Sequence, residues 1–347
     1  MISVIIPVRQ INNYIYELIT HFLKMDYSDF EVIVYPDYIK AENVIEKNYE
    51  LKLINTFDNG LREYQLCLDS RFRFIETSKL PPGKKRDLAL QHAKGEYFAF
   101  TDDDAYPRND WLINALEILK DETVGGVGGP AVTATGDNIF EIGSGKVYES
   151  YLCSGDLKYR YVPGIKKDVD DIPSVNLIIK KDIFEKVNGF NSKFYPGEDT
   201  ELCLKIINLG KRIIYDPDTL VYHHRRSLYI KHLKQIKNYA THRGFFAKKY
   251  PQTSFRFNYF VPTFFDIGLF FGPVICVNIT KLWFLYFGTI LLYTLLAIHS
   301  LKSCFHTKNN FLYNFALLII SFFGVLSTHI VYGIYFIKGL LIKDIAE

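Results

Sequence analysis

The chain has few of the features that mark several common protein classes. Its 347 residues include only five cysteines, Cys67, Cys153, Cys203, Cys276 and Cys304, scattered and with no C-x-x-C pair. That excludes a zinc knuckle or a disulfide framework and suits a reducing compartment. The net charge is only +3, too small to imply a nucleic-acid partner. The opening MISVIIPVRQ has no basic stretch ahead of its short apolar run. It reads as a buried strand rather than a signal peptide, which places this part of the chain in the cytosol. No internal repeat or low-complexity segment stands out.

Other absences are local. Arg225 to Arg256 contains no acidic residue and nine Lys or Arg, interleaved with Tyr229, Ile230, Leu233, Ile236, Tyr239, Phe245 and Phe246. A basic amphipathic stretch beside an apolar region reads as a membrane-surface element. Leu282–Ile298 and Phe311–Ile337 hold no Asp, Glu, Lys or Arg. A spanning helix needs about 20 such residues, so the second is ample and the first is just long enough with help from its flanks. Tyr259–Thr280 is ambiguous, because it carries Asp266, Pro262 and Pro273, and a carboxylate at mid-membrane costs ~3 kcal/mol. Two or three spans are expected. Lys302 and Lys308 flank one side and Lys338 and Lys343 the other, so charge asymmetry does not orient them.

The rest of the chain alternates strand and helix patterns. Ile2–Val8, Glu31–Tyr35 and Tyr97–Thr101 are apolar, β-rich runs, as in buried parallel strands. Between and after them, Asn12–Lys24, Lys84–Ala93 and Trp111–Leu119 have helical spacing. The expected class is α/β with a mostly parallel sheet, whose ligands bind at the carboxyl ends of strands. Asp37 and Asp102-Asp103-Asp104 fall at such ends. Gly125–Gly145 reads as strands and turns near a ligand, Tyr148–Asp171 as a surface excursion, and Glu198–Leu209 as a helix with an acidic first turn.

The aspartate cluster is the strongest chemical signal. Three adjacent carboxylates repel one another unless a cation or donors compensate. Hard divalent ions such as Mg2+ bind through one or two carboxylates plus substrate phosphates, and a departing diphosphate needs its charge neutralised. The bland alternative is a solvated acidic turn. Glu198-Asp199 could supply a general base, or be simple helix-start chemistry. His223-His224 could offer a metal ligand, although such a histidine is more often structural.

Taken in order, these pieces resemble glycosyltransferase family 2, with its GT-A fold, over Ile2 to Pro251. Ser3 to Val8 resembles the opening strand, so Pro7 and Val8 are candidates for the nucleotide side. Asp37 falls on the family's base-contacting aspartate, with Pro36 replacing its usual acidic neighbour. Arg86 matches the arginine of an Ala-Arg-Asn segment in which Asp87 replaces asparagine, and the resemblance implies that Arg86, with Asp37, holds the nucleotide. Gly95 to Asp104, with Pro107 and Asp110-Trp111-Leu112, resembles the DXD region. The resemblance implies that Asp102 lies near the ribose and that Asp104 binds Mg2+ or Mn2+; Asp103, between them, is a candidate for the nucleotide-sugar side with no separate role assigned. Ser174-Val175-Asn176, Gly189-Phe190-Asn191 and Gly197-Glu198-Asp199 resemble the acceptor side, with Asp199 on the catalytic base and Glu198 beside it. His223 matches a histidine that would help hold the metal.

The expected layout is a GT-A domain over residues 1–224, a basic juxtamembrane segment over 225–258 and a membrane region over 259–347. The expected activity is inverting transfer from a nucleoside-diphosphate sugar to a saccharide or lipid-linked saccharide. It would occur at the cytoplasmic face of the cell membrane, with membrane lipid as a further partner, in exopolysaccharide or cell-surface glycan synthesis. The rival readings are a polyprenyl-phosphate sugar synthase and an inactive membrane-anchored sugar-nucleotide-binding protein.

Overall fold

The computed structural model describes residues 1–39, 49–307 and 309–345; Lys308, used in the charge comparison above, lies outside them. In chain order the strands are β1 (Ile2–Pro7), β2 (Phe30–Tyr35), β3 (Leu51–Thr56), β4 (Arg62–Leu66), β5 (Phe72–Ile75), β6 (Tyr97–Phe100), β7 (Ala105–Pro107), β8 (Val124–Gly128), β9 (Ala131–Thr133), β10 (Lys167–Val169), β11 (Leu177–Lys180), β12 (Arg212–Tyr215) and β13 (Val221–His223). Contacts divide the chain into two compact units, Met1–Val132 with Pro163–His223, and Thr133–Val162 with His224–Glu347.

The first unit is built on a ten-stranded mixed sheet in the order β10-β12-β8-β11-β6-β1-β2-β5-β4-β3. Its centre is parallel: β1 pairs with β2 and β6, and β2 with β5. Every residue of β1 and β2 is buried, as expected for strands covered on both faces. The helix Asn13–Phe22 covers one face with Ile15, Leu18, Ile19 and Phe22. Its start is fixed by Asn12, whose side chain accepts from the Tyr14 and Ile15 amides. β11 runs antiparallel between β6 and β8, and β3 and β4 extend the other edge as an antiparallel pair. A small second sheet has the order β7-β13-β9.

The second unit is helical. Asn138 opens the helix Ile139–Glu149 with a capping box to Glu141, so only part of the glycine-rich stretch is strand and turn. After β8 and β9, Asn138 to Gly145 turns helical. Tyr148–Asp171 is also not a simple surface excursion, because Tyr148 and Arg160 are buried. Ile230–Lys249 forms the basic helix, and its Arg225 flank is buried over the Tyr148 and Tyr161 rings at 5.6 and 5.4 Å. Three helices follow that are long and apolar enough to cross a membrane: Phe257–Asn278, Leu282–Ser300 extending to His306, and Phe311–Leu341.

The ambiguous Tyr259–Thr280 segment is therefore helical despite its two prolines. Pro273 cannot donate to the Leu269 carbonyl four residues earlier. The Tyr286 hydroxyl from the next helix donates to that carbonyl instead, at 3.2 Å.

Candidate active site

Parallel pairing brings the carboxyl ends of β1, β2 and β6 together, and with them Pro7-Val8, Asp37 and Asp102-Asp103-Asp104. What holds this edge is a residue that sequence reasoning passed over. Lys85 is 2% exposed, and its ammonium donates to Val8 O at 2.6 Å, Tyr35 O at 3.1 Å and Asp37 Oδ1 at 2.5 Å. One cation thus closes the ends of two strands and fixes the Asp37 carboxylate. Burial pulls the Lys85 pKa down, and Asp37 opposes that shift. The helix Pro82–Asp87 that presents it begins with proline at its first turn. The signal in the sequence was the run Lys84-Lys85-Arg86, but spacing alone does not say which cation points inward.

Arg86, the next residue, is 3% exposed. Its guanidinium donates to Asp102 Oδ1 at 2.6 Å and to Glu198 Oε1 at 3.2 Å and lies over the Phe190 ring at 5.5 Å. It therefore ties the aspartate at the end of β6 to the start of the helix Glu198–Asn208. Burial is the largest reason that the Glu198 carboxyl is pushed up to about 7; the neighbouring Asp199 adds to this and Arg86 opposes it. Asp199 is half-buried at the same helix start, with Oδ1 accepting the Thr200 amide at 2.8 Å. Thr200 in turn donates to Asp171 Oδ2 at 2.9 Å, which anchors that first turn.

The three adjacent aspartates have three different surroundings. Asp102 meets Arg86. Asp103 Oδ2 accepts from the Asn12 side-chain amide at 2.6 Å, so the residue that caps the first helix also holds the middle aspartate. Burial first, then the neighbouring Asp104, pushes the Asp103 carboxyl up to about 6. Asp104 Oδ1 lies 3.2 Å from His223 Nε2. The register explains that meeting: β13 pairs antiparallel with β7, and His223 sits opposite Ala105.

No group of three or more His, Cys, Asp and Glu side chains among the described residues is arranged to hold a metal alone. Asp104 and His223 offer one oxygen and one nitrogen. Two protein donors fit a divalent ion whose remaining positions go to phosphate oxygens and water.

The other motif residues brace the site. Asp87 accepts the Phe190 and Asn191 amides at 2.6 and 2.9 Å. It secures a turn whose Asn188, Gly189 and Asn191 all have positive φ. A carboxylate does here what an asparagine carbonyl could do half as well, since both of its oxygens are used. Asn176 accepts from Trp111 Nε1 at 2.8 Å and donates to Thr219 O at 2.7 Å and Pro130 O at 3.2 Å, so it is a buried structural junction. His224, by contrast, lies in the second unit and pairs with Asp137 there.

The chain is similar to known glycosyltransferases over much of its length. The model for glycosyl transferase family 2 matches residues 3–187. The chain is 28% identical over 167 residues to a pre-mycofactocin glycosyltransferase of Mycobacterium tuberculosis, a match covering 48% of this chain and only 33% of that protein. It is 23% identical over 257 residues to a dolichyl N-acetyl-α-D-glucosaminyl phosphate 3-β-D-2,3-diacetamido-2,3-dideoxy-β-D-glucuronosyltransferase of Methanococcus voltae, covering 72% of this chain and 74% of that one. Among solved structures, a mannosyltransferase of Pyrobaculum calidifontis, determined with GDP-Man and Mn2+, aligns over 99% of this chain and 88% of its own. The TM-score is 0.50 at 17% identity, a likeness of GT-A fold. With just over half of its length matched by the family model, the chain belongs to glycosyl transferase family 2.

Proposed function

We propose that the protein transfers a sugar, with inversion, from a nucleoside-diphosphate donor to the hydroxyl of a saccharide acceptor at a membrane surface. The observation that supports this reading is the Arg86 bridge: one buried guanidinium pairs with both Asp102, assigned here to the donor side, and Glu198, assigned here to the acceptor side. The donor nucleotide would lie along Pro7, Val8 and Asp37, with Lys85 holding the Asp37 carboxylate in place. Asp102 and Asp103 would line the sugar-nucleotide side. A divalent cation, Mg2+ or Mn2+, held by Asp104 and His223 would supply charge neutralisation on the leaving diphosphate.

Glu198 and Asp199 divide their work. Glu198 is 5% exposed and committed to Arg86, which suits positioning. Asp199 is the more accessible carboxylate and is the general base, taking the acceptor proton as the hydroxyl attacks the anomeric carbon. A lipid-linked saccharide is the favoured acceptor. The Methanococcus relative is named for transfer to a dolichyl-phosphate-linked sugar, and the second unit offers apolar helices for a membrane. A polyprenyl-phosphate acceptor would arrive already anionic and need no base, so Asp199 disfavours that rival.

Calorimetric titration of UDP- and GDP-sugars tests the reading. One nucleotide sugar should bind with Mn2+ present and lose its affinity in EDTA. Binding and turnover unchanged in EDTA would remove the metal from the account.

A further inference from the structure

Phe311–Leu341 is the longest apolar helix and has the composition of a membrane span. Its neighbours within the second unit give it a different course. The two preceding helices form an antiparallel hairpin. Phe265 and Tyr293 stack at 4.4 Å towards its base, and Tyr286 bonds Leu269 O nearer the tip at Ile279–Lys281. In a bundle of three spans, the third helix would run from the base of this hairpin to its tip. Instead it crosses the base. Its first half meets the end of the second arm, where Cys304 Sγ lies 4.0 Å from Ser321 Oγ. Its second half meets the start of the first arm, where Thr263 donates to Gly333 O at 3.0 Å and the Phe260 and Phe336 rings are 4.9 Å apart.

Charged companions run along both halves. The basic helix Ile230–Lys249 lies beside the second half. His232 Nε2 is 3.0 Å from Thr328 Oγ1, and Lys248 Nζ donates to Ile342 O at 2.6 Å. Its Lys231, Lys234, Lys237, Lys248 and Lys249 are exposed. Lys231 and Lys249 are about 27 Å apart along the helix. Standing upright, the helix would carry ammonium groups through most of the hydrocarbon, which is expensive; lying flat, it keeps all of them among headgroups. The helix Ile139–Glu149, with its Lys146–Glu149 ion pair, packs on the first half through Gly143.

We propose that Phe311–Leu341 does not cross the bilayer but lies in the plane of one leaflet, paired with Ile230–Lys249. Its inner stripe, which includes Asn314, Ser321, Thr328, Gly333 and Gly339, is buried on protein. Its outer residues, Phe311, Phe315, Ile319, Phe323 and Ile334, are exposed and face acyl chains, while the lysines meet anionic lipid phosphates. Asp266 fits this placement. It is 5% exposed and lies against Gly333, where an added Cβ would come within 2.1 Å of its Oδ2. A flat Phe311–Leu341 holds that carboxyl near the headgroups rather than at mid-membrane. The hairpin then returns the chain to the face it left, and the C-terminus shares the side of residues 1–256.

This inference deepens the membrane-surface reading and is independent of the transfer chemistry. It is tested on the full chain carrying N- and C-terminal epitope tags in sealed inverted membrane vesicles. Both tags should respond alike to added protease, either both cleaved or both protected. Cleavage of one alone would overturn the proposal, as would recovery of the protein in the soluble fraction, which would also remove the membrane reading. Spin labels at Phe315→Cys and Ile334→Cys in a Cys67→Ser background supply a second readout. These sites are about 28 Å apart along the helix. Equal quenching depths are expected, and depths differing by about 20 Å or more would show an upright span.

Discussion

The two units bury polar groups in opposite ways. In the first, the site and the sheet edge beside it rest on paired charges: Lys85 has three acceptors, Arg86 two carboxylates, and the part-buried Arg73 bridges the buried Glu31 and Glu63 at 2.9 and 2.6 Å. In the second, the buried polar groups are largely neutral. His232 is fully buried between the Ser144 and Thr328 hydroxyls at 2.8 and 3.0 Å, and burial holds its pKa down at about 3. Close backbone approach replaces charge there. A Cβ on Gly339 would fall 2.1 Å from Thr241 O, and one on Gly244 2.1 Å from Phe336 O. Charge in the first unit holds the carboxylates of the proposed site for an ionic substrate. Small residues and neutral hydrogen bonds in the second are what helices use where hydrophobic burial gives little drive to associate.

Substitutions can break this contrast on either side. Lys85→Met should have the largest effect, because it strands the Asp37 carboxylate and two carbonyls at the sheet edge. Urea melts should show a loss of about 3–5 kcal/mol, with weakened donor binding. Gly339→Val attacks the other unit and should cost about 1–3 kcal/mol through overpacking against Thr241, seen in detergent melts with donor binding unchanged.

Glu198→Gln sharpens the comparison by pH. A carboxyl whose pKa is raised from 4.5 to about 7 on folding holds its proton more tightly in the native state. The stability tied to that proton is present below the unfolded value and is lost as pH rises towards 7. The glutamine variant lacks this dependence. Relative to wild type it should gain on the order of 2 kcal/mol between pH 5 and pH 8 in denaturant melts.

How much of this was legible in the sequence depended on whether local pattern or distant contact decides. The strands Ile2–Pro7 and Tyr97–Phe100 and the helix Trp111–Leu119 were readable from apolar periodicity. So were the aspartates at a strand end, since strand termini and ligand sites are linked in α/β sheets. The meander Leu51–Ile75 went unread because its strands are short and β3 is mostly exposed. Long-range partners were hidden as well. Nothing near Lys85 announces that it reaches Val8 and Asp37, 77 and 48 residues away. Equally hidden was the side-chain amide of Asn12, 91 residues earlier, that holds Asp103. Hydropathy likewise reports that Phe311–Leu341 is apolar, but not which elements lie along it.

The most direct test of the catalytic reading is Asp199→Asn, assayed for transfer to a saccharide acceptor alongside donor binding. The account predicts a fall in transfer of about 10²–10⁴-fold with donor affinity and fold retained. Transfer at the wild-type rate would contradict it.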